Sequence, residues 1–526
     1  MNGAESLVHA LLDSGVDTCF ANPGTSEMHF VAALDKVPGM RCVLGLFEGV
    51  VTGAADGYYR MAERPAATLL HLGPGLANGL ANLHNARKAR SGVVNIVGDH
   101  ATGHLALDAP LTSDVAGLAR PMSHWVHTSA TADAVAGDGR AAVAEACRRP
   151  GRIATLILPA DTAWTEVGTV AHAAAAPSAP TPHVAPDESG GAGDIGDIAA
   201  AVDALRAGPG TLLLLGANAL RAEVAGWAGR IAAATGCAVM AEFYGARIER
   251  GAGRVALPRL PYAVDPSLAV LAPFSRIVLL GARAPVAFFA YPGKPGRLTR
   301  PGCEITTLAL PGQDMAAVLR EVAGTLGANR LAPAGMVQAR AEEPAGGPLE
   351  PEGIGRMLAA VMPDNAIVVD ESLTTGRRFD ALTAGAAPHD WLTGTGGSIG
   401  FCLPVAVGAA IAAPGRRVIA LEGDGSAMYT PQALWTMVRE NLDVTVVIFA
   451  NRAYQILRGE FANVGAGAPG RRAADMLSLE RPALDWMALA RGMGLPGVRV
   501  TDLAALGAAL RRSFLAGGPT LVEVVL

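Results

Sequence analysis

Short apolar segments alternate with longer helix-like segments through the first part of the chain. Strands that alternate with helices in this way predict a parallel sheet covered by helices. In this part of the chain the predicted strands are Asp17–Phe20, Cys42–Phe47, Ala67–Leu72, Val93–Val97 and Ala154–Leu158.

The same alternation returns in a middle segment and in a final segment. The strands predicted there are Thr211–Leu215, Ile277–Leu280, Ile367–Val369, Val418–Leu421, Val444–Phe449 and Leu521–Val525. Two stretches rich in small residues and proline, 169–193 and 329–353, are typical of linkers. A chain of 526 residues is also too long for one ordinary domain. The sequence therefore predicts an α/β protein with three doubly wound parallel-sheet domains, at residues 1–168, 194–328 and 354–526.

Composition narrows the classes of partner. The formal net charge is −5, so no basic stripe is available for a nucleic-acid backbone. Hydrophobic residues make up 51% of the chain, yet no uninterrupted apolar run is long enough to span a bilayer. The N-terminus also lacks the basic region of a secretory signal. We therefore expect a cytoplasmic protein that binds neither nucleic acid nor membrane, with its six cysteines reduced and buried in the core.

A Gly-Asp-Gly sequence at 423–425 follows a predicted strand and precedes a helix-like run at 430–441, and Asn451 follows the next strand. In such a unit both strand ends lie at the same edge of a parallel sheet, so Asp424 and Asn451 can approach each other. Their side-chain oxygens and a main-chain carbonyl, that of Ala453, are hard ligands suited to Mg²⁺, and a diphosphate would complete an octahedron. A lone Gly-Asp-Gly is more often a simple turn, but the asparagine at this spacing favours the metal site.

This arrangement resembles the Gly-Asp-Gly to Asn signature of thiamine diphosphate (ThDP) enzymes, specifically the superfamily of 2-oxo acid decarboxylases and acetolactate synthases. The resemblance covers essentially the whole chain, because the three predicted domains match the pyrimidine-binding, middle and diphosphate-binding domains of that superfamily. It implies that ThDP and Mg²⁺ are the cofactors. It also implies a homodimer or homotetramer, since in this superfamily the activating glutamate and the Gly-Asp-Gly loop meet across a subunit boundary.

Glu48 stands between a strand and a helix in the run G-L-F-E-G-V-V-T-G-A-A-D-G-Y, residues 45–58. An isolated glutamate at such a junction is often only a charge that faces the N-terminus of the helix. The run, however, resembles the motif that carries the activating glutamate of the superfamily. By that resemblance Glu48 binds N1′ of the aminopyrimidine and promotes removal of the proton from thiazolium C2.

Three further stretches of the first domain resemble benzoylformate decarboxylase. In N-P-G-T-S-E, residues 22–27, Thr25 takes the position of a serine that faces the substrate, although these residues would also suit a capped turn. His71 aligns with a catalytic histidine, whereas a histidine among apolar residues is more often a satisfied core group. Residues 111–121 resemble the same decarboxylase and lack the A-F-Q-E run of acetolactate synthases. The predicted catalytic residues are Glu48, His71 and Thr25.

The same resemblance assigns cofactor-binding residues in the last domain. The carbonyl of Gly397 would accept a hydrogen bond from the 4′-amine of the aminopyrimidine, and Ile399 would wedge between the two rings of the cofactor. The diphosphate would be bound by Thr374, Gly425, Ser426 and Tyr454.

The middle domain departs from benzoylformate decarboxylase, which has a second catalytic histidine after an A-P-V run. The comparable stretch here, residues 284–291, reads A-P-V-A-F-F-A-Y and contains no histidine. Phe288, Phe289 and Tyr291 would either line an apolar pocket or pack between domains. Gly216 follows a strand, but the G-x-G-x-x-G fingerprint of dinucleotide sites is missing, so nothing identifies an FAD site.

Taken together, the motifs predict a ThDP- and Mg²⁺-dependent decarboxylase of a 2-oxo acid that releases an aldehyde or joins the acyl unit to an acceptor, a reaction called carboligation. An enzyme similar to the acetolactate synthase large subunit is the first alternative. A non-catalytic accessory subunit of the same fold is the second. The presence of Glu48, Ile399, Asp424 and Asn451 argues against the accessory subunit.

Overall fold

Three β-sheets form the framework of the computed structural model, which describes residues 1–168 and 196–526. Their strands alternate with helices and are parallel with one exception, so the predicted α/β class with doubly wound sheets is confirmed. The predicted linker at 169–193 lies outside the described residues. The predicted linker at 329–353 contains no helix or strand before a helix begins at Pro351.

The first sheet is built from the N-terminal part of the chain. Its strands are β1 (Thr18–Asn22), β2 (Arg41–Leu44), β3 (Ala66–Leu70), β4 (Val93–Asp99), β5 (Trp125–Thr128) and β6 (Ile153–Pro159). Its helices are α1 (Gly3–Asp13), α2 (Met28–Lys36), α3 (Glu48–Ala62), α4 (Leu72–Ala89), α5 (Val115–Ala119), α6 (Ala132–Ala146) and α7 (Ala160–Trp164). All six strands are parallel, in the order β2-β1-β3-β4-β6-β5.

The middle sheet is smaller. The strands of this part of the chain are β7 (Thr211–Leu215), β8 (Ala238–Ala241), β9 (Ile248–Arg250), β10 (Arg276–Leu280) and β11 (Glu304–Ala309). The helices are α8 (Ile198–Arg206), α9 (Ala222–Thr235), α10 (Val264–Leu271) and α11 (Met315–Thr325). Four strands form the parallel sheet β11-β10-β7-β8, whereas β9 leaves it and joins the third sheet.

The third sheet is the largest. Its own strands are β12 (Ile367–Glu371), β13 (His389–Thr393), β14 (Val418–Gly423), β15 (Val444–Ala450), β16 (Gly497–Val500) and β17 (Thr520–Val525). The helices are α12 (Pro351–Val361), α13 (Phe379–Leu382), α14 (Cys402–Ala412), α15 (Asp424–Ala427), α16 (Gln432–Arg439), α17 (Gln455–Asn463), α18 (Arg471–Met476), α19 (Trp486–Gly492) and α20 (Leu503–Leu515). The order is β16-β17-β15-β14-β12-β13-β9, with β9 antiparallel to β13.

All three sheets share one topological feature. In each, the first strand of its segment lies between the second and the third: β1 between β2 and β3, β7 between β8 and β10, and β12 between β13 and β14. After the first strand the chain therefore continues towards one edge of the sheet, and after the third strand it continues towards the other edge. A crevice opens between the carboxyl ends of these two strands. This crevice is where doubly wound sheets bind ligands.

Helices α3 and α14 join the first and third parts of the chain at very short range. A methyl group added to Gly57 would lie 2.1 Å from the Val405 carbonyl oxygen, and one added to Gly408 would lie 1.8 Å from the Ala54 oxygen. Only glycine permits backbones to approach this closely. The packing is therefore determined by these glycines rather than by interlocking large side chains.

The central strands were predicted correctly, whereas six strands were not predicted: β5, β8, β9, β11, β13 and β16. Five of them are edge strands and the sixth, β13, lies beside one. Polar residues interrupt the apolar pattern in four of these edge strands, β5, β9, β11 and β16, whereas β8 is apolar but only four residues long. Two strands were predicted to extend too far, to Phe47 and to Leu72, whereas β2 ends at Leu44 and β3 ends at Leu70. Leu72 has a φ of +46° that turns the chain into α4.

The cysteine prediction was partly wrong. Cys19, Cys237 and Cys402 are buried free thiols, but Cys42 and Cys147 are exposed. Among the helices of the described residues, none has both the length and the apolar character needed to cross a bilayer.

Arg60 on α3 connects all three parts of the chain. Its guanidinium pairs with Asp56 at 2.6 and 2.8 Å, and it donates to the carbonyls of Thr393 at 2.8 Å and Ala246 at 3.3 Å. Both side chains of the ion pair are essentially inaccessible to solvent. Removal of the guanidinium would therefore leave Asp56 as a buried carboxylate without an ion-pair partner, with a hydrogen bond from the Ser91 hydroxyl.

We expect Arg60→Ala to lower the free energy of unfolding by about 3–5 kcal/mol, as for other broken buried ion pairs. The matched control is Arg356→Ala, which removes an exposed pair with Glu352 at the same i,i+4 spacing. That change should cost no more than about 0.5 kcal/mol. Denaturant titration of the two variants measures the difference, and equal losses would contradict the importance assigned to Arg60.

Candidate active site

The loop after β1 and the residue after β3 form the first polar cluster. Residues Thr25–Glu27 make one turn of 3₁₀ helix, and the Glu27 Oε2 atom accepts the Gly24 N–H at 2.7 Å. The same oxygen lies 2.8 Å from Nδ1 of His71. Thr25 is exposed at the start of this turn. The predicted residues Thr25 and His71 thus come from neighbouring strands and lie at the crevice of the first sheet.

Glu27 determines the orientation of the His71 ring. Because Oε2 already accepts an amide proton, any proton on the carboxyl group belongs on Oε1, and Nδ1 of His71 is the donor to Oε2. The Glu27 carboxyl is buried, and Oε1 has no hydrogen-bond partner among the described residues. Burial raises the pKa of Glu27, whereas the His71 contact and the Gly24 N–H oppose that rise. The contact leaves Nε2 of His71 available to a substrate.

Glu48 is the first residue of α3 and is only 7% exposed. Its Oε2 atom accepts a hydrogen bond from Nδ2 of Asn78 at 3.0 Å. Gly75 on the same helix, α4, leaves room for the other oxygen, since an added methyl group would lie 3.0 Å from Oε1. Glu48 is thus a buried carboxylate with one neutral donor and without an ion-pair partner in the described residues.

A second polar cluster forms where β14 and β15 end. The Asp424 carboxylate accepts the Gly425 N–H at 2.9 Å and the Arg452 N–H at 2.7 Å, which ties the two loops together. Asn451 accepts the Ala453 N–H through its side-chain oxygen at 3.0 Å. Burial raises the pKa of Asp424, and the two amide donors oppose that rise. Asp424 and Asn451 therefore belong to one cluster, as their spacing predicted.

The donor set of this cluster is suited to a hard cation. It combines a carboxylate, a side-chain amide oxygen and the main-chain carbonyl of Ala453, which is the type of ligand that Mg²⁺ takes. No group of three or more His, Cys, Asp or Glu side chains that could hold a metal occurs within residues 1–168 and 196–526. A cation here would consequently need further oxygens from a ligand such as a diphosphate.

The residues predicted to bind a diphosphate surround this cluster with one difference from expectation. Tyr454 lies against Gly425, where an added methyl group would be 2.6 Å from the ring. Thr374 is partly exposed in the loop after β12, the strand next to β14. The hydroxyl of Ser426, however, donates to buried Glu422. Ser426 would therefore offer its backbone N–H, rather than its hydroxyl proton, to an anion.

The loop that carries Gly397 and Ile399 is held from both sides. Glu371 accepts the N–H groups of Gly400 at 2.8 Å and Cys402 at 3.0 Å. On the other side Asn85 of α4 bonds both the carbonyl and the N–H of Ser398, at 2.9 and 3.1 Å. Gly397 itself has a φ of +73°, which favours glycine. Ile399 remains partly exposed on this fixed loop, as a residue that contacts a ligand must be.

Aromatic side chains of the middle segment lie beside this loop. The Phe288 ring is so close to Gly397 that an added methyl group would be 2.8 Å away. Phe288 also packs against Tyr244, Tyr262 and Phe289, with ring centroids 4.7–5.8 Å apart. A cavity of about 460 Å³ begins beside Gly396 and extends to Glu242, at the crevice of the middle sheet. Burial raises the pKa of Glu242 to about 7.

The two polar clusters are separate within one chain. In the described residues, no hydrogen bond or ion pair joins Thr25, His71 or Glu48 to the second cluster. Asn78 contacts Glu48 whereas Asn85 contacts Ser398. These two asparagines are seven positions apart on α4, which corresponds to a rise of about 10 Å.

A buried glutamate at the start of α3 and a loop of hard oxygen ligands at the crevice of the third sheet are features of the class of ThDP-dependent enzymes. Comparison with known proteins agrees. Residues 1–120 match the thiamine pyrophosphate enzyme N-terminal TPP binding domain, and residues 378–524 match the C-terminal TPP binding domain. The chain belongs to the thiamine diphosphate enzyme family.

Its relatives fall into the two groups foreseen from the motifs. The chain is 50% identical to the acetolactate synthase large-subunit-like protein IlvX of Mycobacterium tuberculosis, over 100% of this chain and 99% of that protein. It is 31% identical to the benzoylformate decarboxylase of Pseudomonas aeruginosa, over 97% and 96%. The fold matches that of a ThDP-dependent 4-hydroxybenzoylformate decarboxylase of Rhodococcus jostii RHA1, with a TM-score of 0.81, 24% identity and 99% and 98% coverage.

Sequence reasoning did not assign roles to several residues that position the site. Glu27 orients His71, whereas Asn85 and Glu371 both form hydrogen bonds to the backbone of the Ile399 loop. Glu27 was visible as the last residue of the N-P-G-T-S-E motif, but its contact with His71 depends on strand order. Glu371 is the last residue of β12 and follows Asp370, so only its burial distinguishes it from an ordinary polar strand end.

The pKa of Glu371 predicts how the stability of the folded protein depends on pH. Burial raises the pKa of Glu371 to about 8, although the N–H groups of Cys402, Gly400 and Phe401 oppose the rise. Since the folded pKa lies above the unfolded value, the folded state holds the extra proton. The stability gained from it is fully present below about pH 4.5, the unfolded value, and is lost as the pH rises through about 8.

We therefore expect the melting temperature of the wild type, relative to Glu371→Gln, to be highest near pH 5 and to decline through pH 8. One group can contribute a slope of at most about 1.4 kcal/mol per pH unit. Differential scanning calorimetry across this range measures the effect. Exposed Glu223→Gln is the control and should leave the wild-type profile unchanged. A constant difference between wild type and Glu371→Gln would show that Glu371 does not titrate in this way.

Proposed function

We propose that the chain is a ThDP- and Mg²⁺-dependent enzyme that decarboxylates a 2-oxo acid and either releases an aldehyde or joins the acyl unit to an acceptor. The observation that carries the proposal is the presence of both halves of a ThDP site. Buried Glu48 lies in the N-terminal TPP binding domain, and the Asp424–Asn451 cluster lies in the C-terminal one. An accessory subunit would need neither half.

The two halves have different tasks in this proposal. Asp424, Asn451 and the carbonyl of Ala453 would hold Mg²⁺, and Thr374, Gly425, Ser426 and Tyr454 would surround the diphosphate. Gly397 would accept from the aminopyrimidine, and Ile399 would support the bent shape of the cofactor. In the superfamily that the chain resembles, the activating glutamate and the Gly-Asp-Gly loop come from two subunits, so a complete site would combine Glu48 of one copy with the Asp424 cluster of a second copy. We accordingly propose a homodimer or a larger homo-oligomer.

The chemistry of decarboxylation comes from the cofactor, which when bound supplies an electron sink for the carbonyl carbon of the substrate. The protein supplies the proton transfers. Glu48, oriented by Asn78, would exchange a proton with N1′ of the aminopyrimidine. His71, with Nδ1 fixed on Glu27, would present Nε2 to the substrate or product as a general acid or base. Thr25 would offer its exposed hydroxyl to the substrate carboxylate.

The relation between aldehyde release and carboligation depends on the middle segment. Benzoylformate decarboxylase has a catalytic histidine in this stretch, whereas residues 284–291 contain none, and exposed Ala290 cannot donate a proton. A positioned acid typically accelerates proton transfer by about 10²–10⁴-fold. Its loss would favour capture of the acyl unit by an acceptor. Similarity to the acetolactate synthase-like relative supports the same alternative.

The cofactor assignment predicts that two variants fail at different steps. Asp424→Ala should abolish Mg²⁺-dependent ThDP binding, measured by calorimetry with and without a chelator. Glu48→Gln keeps nearly the same size, so it should still bind ThDP but slow hydrogen–deuterium exchange at thiazolium C2 by about 10²-fold or more. Exposed Asp364→Ala is the control for both measurements. Wild-type exchange in Glu48→Gln would refute the role of Glu48, and no saturable ThDP binding by the wild type would favour the accessory subunit.

The function is tested with a panel of 2-oxo acids, by CO₂ release and by product analysis with excess aldehyde acceptor. We expect the wild type to form hydroxyketone in a substantial proportion, and Ala290→His to shift the product towards free aldehyde. The amount of CO₂ released serves as the internal reference. A wild type that yields almost only aldehyde, with no shift in the variant, would contradict the effect assigned to Ala290. Absence of CO₂ release from every 2-oxo acid would contradict the function itself.

A further inference from the structure

Two cysteines face each other at the edge of the first sheet, in strands that lead to the candidate site. Cys19 of β1 is paired in register with Cys42 of β2, and β2 is the edge strand. Residues paired in this way point to the same face of a sheet. The next pair, Phe20 and Val43, belongs to the core on the opposite face. The two thiol groups therefore lie side by side on one face.

The two thiols differ in their surroundings. Cys19 is completely buried in the core between the first sheet and helices α1 and α2, whereas Cys42 is exposed. The thiols share a hydrogen bond, which lowers the pKa of Cys42 although desolvation opposes the shift. The same hydrogen bond, together with burial, raises the pKa of Cys19. Cys42 is thus the member of the pair that forms a thiolate, and Cys19 is the one that keeps its proton.

Comparison with the other cysteines distinguishes Cys42 further. All six cysteines lie within the described residues, and burial raises the pKa of Cys147, Cys237, Cys303 and Cys402. Cys147 is exposed, as Cys42 is, but its pKa is shifted in the opposite direction. Because the thiolate is the reactive form of cysteine, we expect reagents to react first at Cys42.

The spacing of the two strands is suited to a disulfide. Neighbouring strands lie about 4.7–4.9 Å apart, and the Cα atoms of disulfide-bonded cysteines are about 4.4–6.8 Å apart. Directly paired residues are therefore close enough to be linked while the strands stay paired. The Cys19 sulfur also lies 3.7 Å from the Phe20 carbonyl oxygen, a long contact that does not fix the thiol. The fold thus holds the two sulfur atoms in position to react with each other.

We propose that Cys19 and Cys42 form a dithiol modification site, which a peroxide oxidises reversibly to a disulfide between β1 and β2. This inference does not rest on the proposed function. The Cys42 thiolate attacks one oxygen of hydrogen peroxide, the O–O bond breaks, and the departing hydroxide takes up the proton that Cys42 released. The product at Cys42 is a sulfenic acid.

The second step forms the disulfide. The Cys19 sulfur attacks the Cys42 sulfur, the S–O bond breaks, and the departing hydroxide takes the Cys19 proton to form water. In total, two thiols lose two electrons and two protons, and one hydrogen peroxide is reduced to two molecules of water. Buried Cys19 therefore needs no direct access to the oxidant.

The disulfide would join two strands that lead to residues of the candidate site. Strand β1 ends at Asn22, before the turn that contains Glu27, and β2 ends at Leu44, shortly before Glu48. An edge strand is paired on one side alone, so it opens more easily than a central strand. A covalent link to β1 would suppress this opening and hold the chain that leads to Glu48 more firmly.

The test uses the full chain in its reduced form, together with Cys42→Ser and Cys19→Ala. Cys147→Ser, at an exposed thiol outside the pair, is the matched control. Alkylation of the wild type at neutral pH, followed by peptide mass spectrometry, measures the reaction rate of each cysteine. Each protein is then treated with hydrogen peroxide, the linked peptide that contains residues 19 and 42 is quantified, and a dithiol reductant is added.

We expect Cys42 to be alkylated at least about tenfold faster than Cys147, because its pKa is lowered. Peroxide should convert the wild type into a form that lacks two hydrogen atoms and contains the linked peptide, and the reductant should reverse this change. Cys147→Ser should behave as the wild type. In Cys19→Ala the sulfenic acid should persist and react with a 1,3-diketone, and in Cys42→Ser the Cys19 thiol should stay free.

Hydrogen exchange measures the consequence for the edge strand. The amides of β2 should exchange at least severalfold more slowly in the oxidised wild type than in the reduced protein, and peroxide should not change their exchange in Cys42→Ser. Equal exchange in the two forms of the wild type would refute the effect on the chain that leads to Glu48.

Equal alkylation rates at Cys42 and Cys147 would overturn the inference. Oxidation of Cys42 in the wild type without a linked peptide that contains Cys19 would overturn it as well. If Cys19→Ala fails to fold, the linked peptide of the wild type and its reversal by the reductant decide the question.

Discussion

The close contact between α3 and α14 is the constraint on which the candidate site depends. Helix α3 begins at Glu48, and α14 begins directly after the Ile399 loop, so this contact fixes where the two features lie within one chain. Gly57 and Gly408 allow backbone to lie against backbone at this contact. The buried Asp56–Arg60 pair on α3 then bonds to the third sheet through the Thr393 carbonyl. A larger residue at either glycine would force α3 and α14 apart and so displace the parts of the chain that carry Glu48 and Ile399.

A second constraint is the strand order that all three sheets share. The first strand of each segment lies between the second and third, so the loops after the first and third strands meet at one crevice. In the first sheet this brings the turn containing Glu27 to His71, and in the third sheet it brings the Thr374 loop to the Asp424 loop. Residues distant in sequence become neighbours because of topology, without any special feature in the intervening chain.

These two constraints explain how much could be predicted from the sequence. Central strands such as β7 and β15 are continuous apolar runs, and Asp424 and Asn451 directly follow two of them, so their proximity could be predicted from chain order alone. Edge strands such as β5 and β16 carry polar residues and were missed. The Glu27–His71 contact requires knowledge of strand order, and the Tyr291–Glu460 contact joins segments 169 positions apart. Spacing carries no information about contacts of that kind, because they depend on how separate units pack. The division into domains at residues 168 and 354 stays a prediction, and β9 shows that one strand crosses such a boundary.

The absence of a histidine in residues 284–291 acquires a physical meaning beside the Tyr291–Glu460 contact. Ala290 has no proton to donate, and the hydroxyl of the adjacent Tyr291 donates its hydrogen bond to Glu460. The stretch therefore contributes shape and charge, and the groups suited to proton transfer, His71 on Glu27 and Glu48 on Asn78, lie in the N-terminal domain.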